Sequence, residues 1–102
     1  MLRAVSKLPL VLTNDMPSVT IGTGTAALIV AFNHNRKSLI ITNEGSSKVY
    51  LGGDSSVTSS SSISIESDGK YTEDSGGQRM FLGDIYGISE DSTNDVRYWE
   101  RE

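Results

Sequence analysis

The chain contains no cysteine, which removes disulfide frameworks, thiolate metal sites and cysteine nucleophiles together. A secreted domain this small often carries disulfides, so their absence favours assembly in a reducing cytosol. Histidine occurs once, as His34, and tryptophan once, as Trp99. No block of Lys or Arg tracks a phosphate backbone: Arg36-Lys37 is the sole adjacent basic pair, and the formal net charge is -4. Nucleic-acid binding is therefore disfavoured. No apolar run approaches the roughly 20 residues of a membrane helix, the longest being Ala26-Ala27-Leu28-Ile29-Val30-Ala31-Phe32. The first seven residues carry charge without a sustained apolar stretch, and Pro9 interrupts the next segment, so we expect no signal peptide.

What the chain does have is Ser, Thr and Gly between short alternating segments. At 102 residues it has the length of one domain with a modest core. A hydrophobic fraction of 36% with abundant small polar residues suits strands and turns better than a helical bundle. No helix of useful length is expected.

Two parts are expected along the chain. Residues 1–25 read as an extended N-terminal arm and residues 26–102 as a β-sandwich domain. In the arm, Leu8-Pro9-Leu10-Val11-Leu12 is apolar, and Pro9 bars it from a central strand. Val19-Thr20-Ile21 has the composition of a short strand before the flexible Gly22-Thr23-Gly24-Thr25.

Beyond it, residues 26–32 read as a buried strand ending at the turn Asn33-His34-Asn35. Ser38-Leu39-Ile40-Ile41-Thr42-Asn43 and Lys48-Val49-Tyr50-Leu51 flank four turn-forming residues and give the clearest hairpin signal. The Ser-rich stretch around residues 59–62 leads into an alternating segment with Ile63 and Ile65, and Tyr71 to Gly77 reads as loop. Three closing strands are expected at residues 78–82, 85–89 and 96–100, with Val96 and Tyr98 facing one way and Arg97 and Trp99 the other. The expectation is an all-β, antiparallel β-sandwich or jelly-roll-like barrel of about seven to eight short strands. An immunoglobulin-like sandwich accommodates the same strand pattern.

Residues capable of chemistry are sparse. His34 sits in an Asn-His-Asn-Arg turn, where an exposed role outweighs a catalytic one. Asp74-Ser75-Gly76 matches the aspartic-protease tripeptide but lacks the apolar strand and partner Asp that chemistry needs. Glu90-Asp91-Ser92-Thr93-Asn94-Asp95 offers hard oxygen ligands, yet without the glycine and terminal glutamate of an EF-hand it reads as a solvated hairpin turn. Tyr50, Tyr86, Tyr98 and Trp99 lie on expected strands. A shared face would make them a sugar platform, but packing into the core is the expected role for most. No catalytic residue, cofactor or metal site is expected.

The ordered set Arg36-Lys37-Ser38-Leu39-Ile40-Ile41-Thr42-Asn43, a short turn, Val49-Tyr50-Leu51-Gly52, then Ile85-Tyr86-Gly87-Ile88-Ser89 and Val96-Arg97-Tyr98-Trp99-Glu100 resembles small virion proteins of tailed bacteriophages. The resemblance spans roughly residues 36–100. It implies a capsid decoration (cement) protein, a head fibre, or a head–tail or tail component, residing in the virion after assembly in the host cytoplasm. It transfers no catalytic residues.

A cement protein on the capsid surface fits the residues best, with the major capsid protein as partner. Leu8, Leu10, Val11 and Leu12 are then the residues expected to contact neighbouring subunits. Weak contacts repeated over a lattice add up through multivalency. A homo-oligomer, with a trimer as the first expectation, accompanies that reading. The rival is a glycan- or receptor-binding module.

Overall fold

The computed structural model describes residues 17–60, 63–74 and 81–102. Leu8, Leu10, Val11 and Leu12 lie outside the described residues. The described residues form eight strands: β1 (Ser18–Ile21), β2 (Ala27–Val30), β3 (Ser38–Asn43), β4 (Val49–Gly52), β5 (Ile63–Ile65), β6 (Lys70–Asp74), β7 (Ile85–Ser89) and β8 (Asn94–Arg101). They make two four-stranded sheets, ordered β1-β8-β3-β6 (sheet A) and β2-β7-β4-β5 (sheet B). Every pairing is antiparallel.

This order has a simple origin. β4 pairs with β5, β3 with β6, β2 with β7 and β1 with β8, as in one long hairpin with its turn between β4 and β5. Rolling that ribbon brings β8 beside β3 and β7 beside β4, which splits it into two packed sheets. That is the jelly-roll arrangement, and it decides between the sandwiches the strand pattern allowed.

The core lies between the sheets because alternation puts one face of each strand inside. Ile21, Ile29, Val30, Leu39, Ile41, Val49, Leu51, Ile65, Ile85 and Val96 form one buried cluster, with Tyr71 and Tyr98 packed partly against it. Gly87 faces this layer, where an added Cβ would meet the Cδ1 atoms of Ile29 and Ile21.

Four sequence expectations are corrected. The sandwich starts at Ser18 rather than residue 26, because Ser18–Ile21 pairs with β8 and Ile21 is fully buried. The β3–β4 hairpin does not form: the two strands lie in different sheets, and residues 44–48 arch between them. Lys70–Asp74 is an edge strand rather than loop, with only Tyr71 and Glu73 turned inward, so its outward residues hid the alternation. Of the strand expected at 78–82, residues 78–80 lie outside the described residues. Phe81 and Leu82 belong to a connection outside any ladder: the Phe81 carbonyl accepts from Arg36 Nη1 and the Leu82 carbonyl from the Asn33 N–H.

Candidate functional site

Polar clasps close both ends of the sandwich. At one end Asn43, 1% exposed, donates from Nδ2 to the carbonyls of Ser47 (2.8 Å) and Ile65 (3.0 Å). Its Oδ1 accepts from the Gly45 N–H (3.0 Å) and from Asn94 Nδ2 (2.9 Å). Asn94 in turn accepts the Ser47 N–H at 3.2 Å. These bonds hold the 44–48 arch, whose backbone at the buried Ser47 needs partners once the hairpin ladder is absent.

At the other end Arg36 is buried, with its side chain fully enclosed. Its Nε pairs with Glu100 at 2.7 Å, while Nη1 and Nη2 donate to the carbonyls of Phe81 (2.8 Å) and Ala31 (2.8 Å). A buried guanidinium is tolerated only when its fork is filled in this way. Both clasps spend their polar groups on backbone and on each other, which marks them as structural.

The residues singled out for chemistry do not converge. His34 is exposed in a turn, its ring 6.4 Å from that of Phe32. Asp74 ends β6 on the outer face, while Ser75 and Gly76 lie outside the described residues. Within residues 90–95 the oxygen-bearing side chains diverge: Asn94 turns inward to Asn43, Asp95 accepts from Thr20 Oγ1 at 2.9 Å, and Glu90 and Asp91 are exposed. Among the described residues no three His, Cys, Asp or Glu side chains are placed to hold a metal ion.

The surfaces are more informative. Register pairs Leu28 with Tyr86, Tyr86 with Gly52, and Tyr50 with both Ile88 and Ser64, placing all of these on the outer face of sheet B. Val57 folds back over Gly52, where an added Cβ would fall 2.7 Å from Val57 Cβ. This face therefore presents Leu28, Tyr86 and Tyr50, with Val57 and Ile88 buried beneath them and no charged strand residue among them. Lys48 stands at its border, 5.9 Å from the Tyr50 ring centroid and 3.5 Å from Glu66. Lys48 is held above the usual lysine pKa by the Glu66 carboxylate first, then by Tyr50.

Sheet A has the opposite character. Its outer face carries Asp95, Arg97, Arg101, Lys70 and Asp74 around the Ile40–Trp99 pair, with the Arg101 guanidinium 5.8 Å from the Trp99 ring. Arg97 and Trp99 share this face while Val96 and Tyr98 point inward, as the alternation predicts. The aromatic expectation needs correction, since of the four only Tyr98 packs against the core. Tyr50 and Tyr86 lie on the outside of sheet B and Trp99 on the outside of sheet A, so the four rings make no common platform.

A third surface is a cleft between edge strands β5 and β6. It has a volume of about 350 Å³ and is lined by Leu51, Gly52, Gly53, Ile63, Tyr71, Phe81 and Ile85. The Phe81 backbone is fixed by Arg36 and by a 3.3 Å bond from its N–H to Glu73. The Phe81 ring, 46% exposed, rests where Gly53 and Gly83 leave room for it. Sequence reasoning missed this cleft because its lining comes from four separate segments.

Compared with known proteins, the chain matches no family model, no curated protein and no solved structure.

Proposed function

We propose that this chain is a non-enzymatic structural protein of a tailed-phage virion, a cement protein that binds the major capsid protein and stabilises the shell. The observation that carries this reading is the contrast between the sandwich faces: sheet A is charged outside, whereas sheet B presents the exposed Leu28 and the half-buried Tyr86 and Tyr50, with no charged residue in its strands. An uncharged aromatic face rimmed by polar residues is the composition of a protein–protein interface centre. The ordered sequence motifs supply the virion context, and the apolar arm residues Leu8, Leu10, Val11 and Leu12 supply contacts to neighbouring subunits. A jelly roll by itself assigns no function.

Quantitative mass spectrometry of purified virions tests the reading through copy number. A ratio of one chain per one to a few capsid subunits supports cement. A ratio hundreds of times lower moves the protein to the neck or tail, and absence removes the virion reading. Leu28→Lys and Tyr86→Lys place charge on the sheet B face without entering the core. Each is expected to lower shell occupancy at least tenfold while leaving the melting temperature within about 2 °C, as for a surface substitution.

A second reading, glycan binding as in a fibre tip, draws on the Trp99–Ile40–Arg101 cluster of sheet A. An aromatic ring beside polar donors is suited to a sugar face. Trp99 is the sole tryptophan, so its fluorescence over an oligosaccharide panel reports on that surface directly.

A further inference from the structure

We propose that the β5/β6 cleft receives the apolar arm segment Leu8-Pro9-Leu10-Val11-Leu12 of a second copy of this chain, so that neighbouring copies are linked arm to cleft. This names the arm's partner and rests on the arm having the contact role proposed above.

Three features fit the segment to the cleft. The lining is apolar and its volume is about 350 Å³. A packed core trimmed of one leucine leaves a cavity of about 150 Å³, so the space suits roughly two such side chains and not a folded partner. In an extended segment Leu8, Leu10 and Leu12 fall on one side at about 6.6 Å intervals, which presents a row of leucines to a groove. β5 and β6 are the edge strands of their sheets, so an added strand finds backbone partners there. Pro9 is compatible with such an addition because an edge strand leaves one side of its backbone unpaired. Ile63, 40% exposed, and the Phe81 ring flank the opening and gain cover from the same segment.

Reach selects the second copy. The Tyr98 N–H donates to the Pro17 carbonyl at 3.1 Å, so the chain upstream departs from the β1 edge of sheet A, opposite the β5/β6 edge. A strand added at the open edge lies one spacing beyond β6 and therefore four spacings from β1, at least about 19 Å. The five peptide steps from Leu12 to Pro17 span at most about 17 Å. The whole run from Leu8 to Leu12 therefore cannot lie in its own cleft. The sixteen residues before Pro17 reach about 50 Å when extended, beyond the 36 Å length of the domain.

The test uses the full-length purified protein, without a shell. Leu10 is replaced by p-benzoylphenylalanine in an equal mixture of ¹⁴N- and ¹⁵N-labelled chains, irradiated, and the crosslinks mapped by mass spectrometry. Crosslinks to Ile63, Tyr71 or Phe81 that join the two isotopes are expected. Gly53→Phe places a ring in the cleft, where a Cβ at residue 53 meets Phe81 at an ordinary 3.6 Å. It should cut the crosslink yield at least tenfold. Ile63→Lys is a second block should the first disturb folding, which circular dichroism reports.

Crosslinks confined to one isotope would place the arm on its own domain and overturn the proposal. Crosslinks to the sheet B face, no crosslinks, or an unchanged yield in folded Gly53→Phe or Ile63→Lys would overturn it as well. Crosslinks to the sheet B face would also occupy the surface on which shell binding rests. The other results, obtained without a capsid, leave shell binding by sheet B intact, and lost shell binding leaves this result intact.

Discussion

Arg36 shows how a single side chain can hold three segments. It ties β8 through Glu100 and the connections at residues 31 and 81 through their carbonyls, all from a side chain with no exposure. Arg36→Ala would leave Glu100 and these carbonyls without their donor, and removal of one partner from a buried pair costs about 3–5 kcal/mol. Urea unfolding should show that loss as a lower midpoint with little change in slope.

Tyr71 and Tyr98 are expected to make stability fall at alkaline pH. Burial raises both phenol pKa values, reinforced at Tyr71 by Glu73 and at Tyr98 by Glu100. A phenol whose folded pKa exceeds its unfolded value leaves the folded state holding more protons. Stability is then full below about pH 10 and falls as pH rises through the folded values. Lys48, also raised, acts in the same direction. Unfolding midpoints measured from pH 9 to 11.5 should decline, and Tyr71→Phe with Tyr98→Phe should flatten that decline. None of these roles is legible in the sequence: Arg36 reads there as half of the sole adjacent basic pair, and its burial follows from where residues 81 and 100 arrive.

At the scale of elements, alternation was legible wherever a strand has one wet face and one dry. Ser38–Asn43 and Ile85–Ser89 match their expected segments end to end, and the inward and outward rows of β8 follow its sequence. Partnership was not legible. A short turn between two β-rich segments signals a hairpin, yet Asn43, Ser47 and Asn94 form a buried hydrogen-bonded set that sends the chain across to the other sheet. Asn94 belongs to β8, far along the chain, so no local window contains the information. Gly45 permits the arch, since a Cβ there would overlap Asn94 Oδ1. Gly45→Ala should therefore destabilise the fold by about 2–4 kcal/mol, combining overpacking with a broken buried network. Asn94→Ala in that background should cost less than in the parent, which a double-mutant cycle would measure. The cleft was illegible for the same reason as the arch, because Leu51, Ile63, Tyr71 and Phe81 meet only once both sheets are stacked.

At the scale of the whole molecule, the rolled ribbon leaves two unlike faces and one open edge. Sheet A mixes both signs of charge, sheet B offers an uncharged face, and the β5/β6 edge offers a cleft. Under the proposed cement role, this division would separate binding a shell from linking to neighbours, two contacts that a lattice multiplies. The strand order also has a consequence for how the chain comes off the ribosome. β8 comes after the other seven strands in sequence, yet it occupies an interior place in sheet A, between β1 and β3. Until it emerges, β1 has no partner and the inner side of β3 is bare, while β2 and β4 already have β7 to join. The nascent chain can close one leaf of the sandwich before the other, and the core of Ile21, Leu39 and Val96 forms only once β8 has emerged.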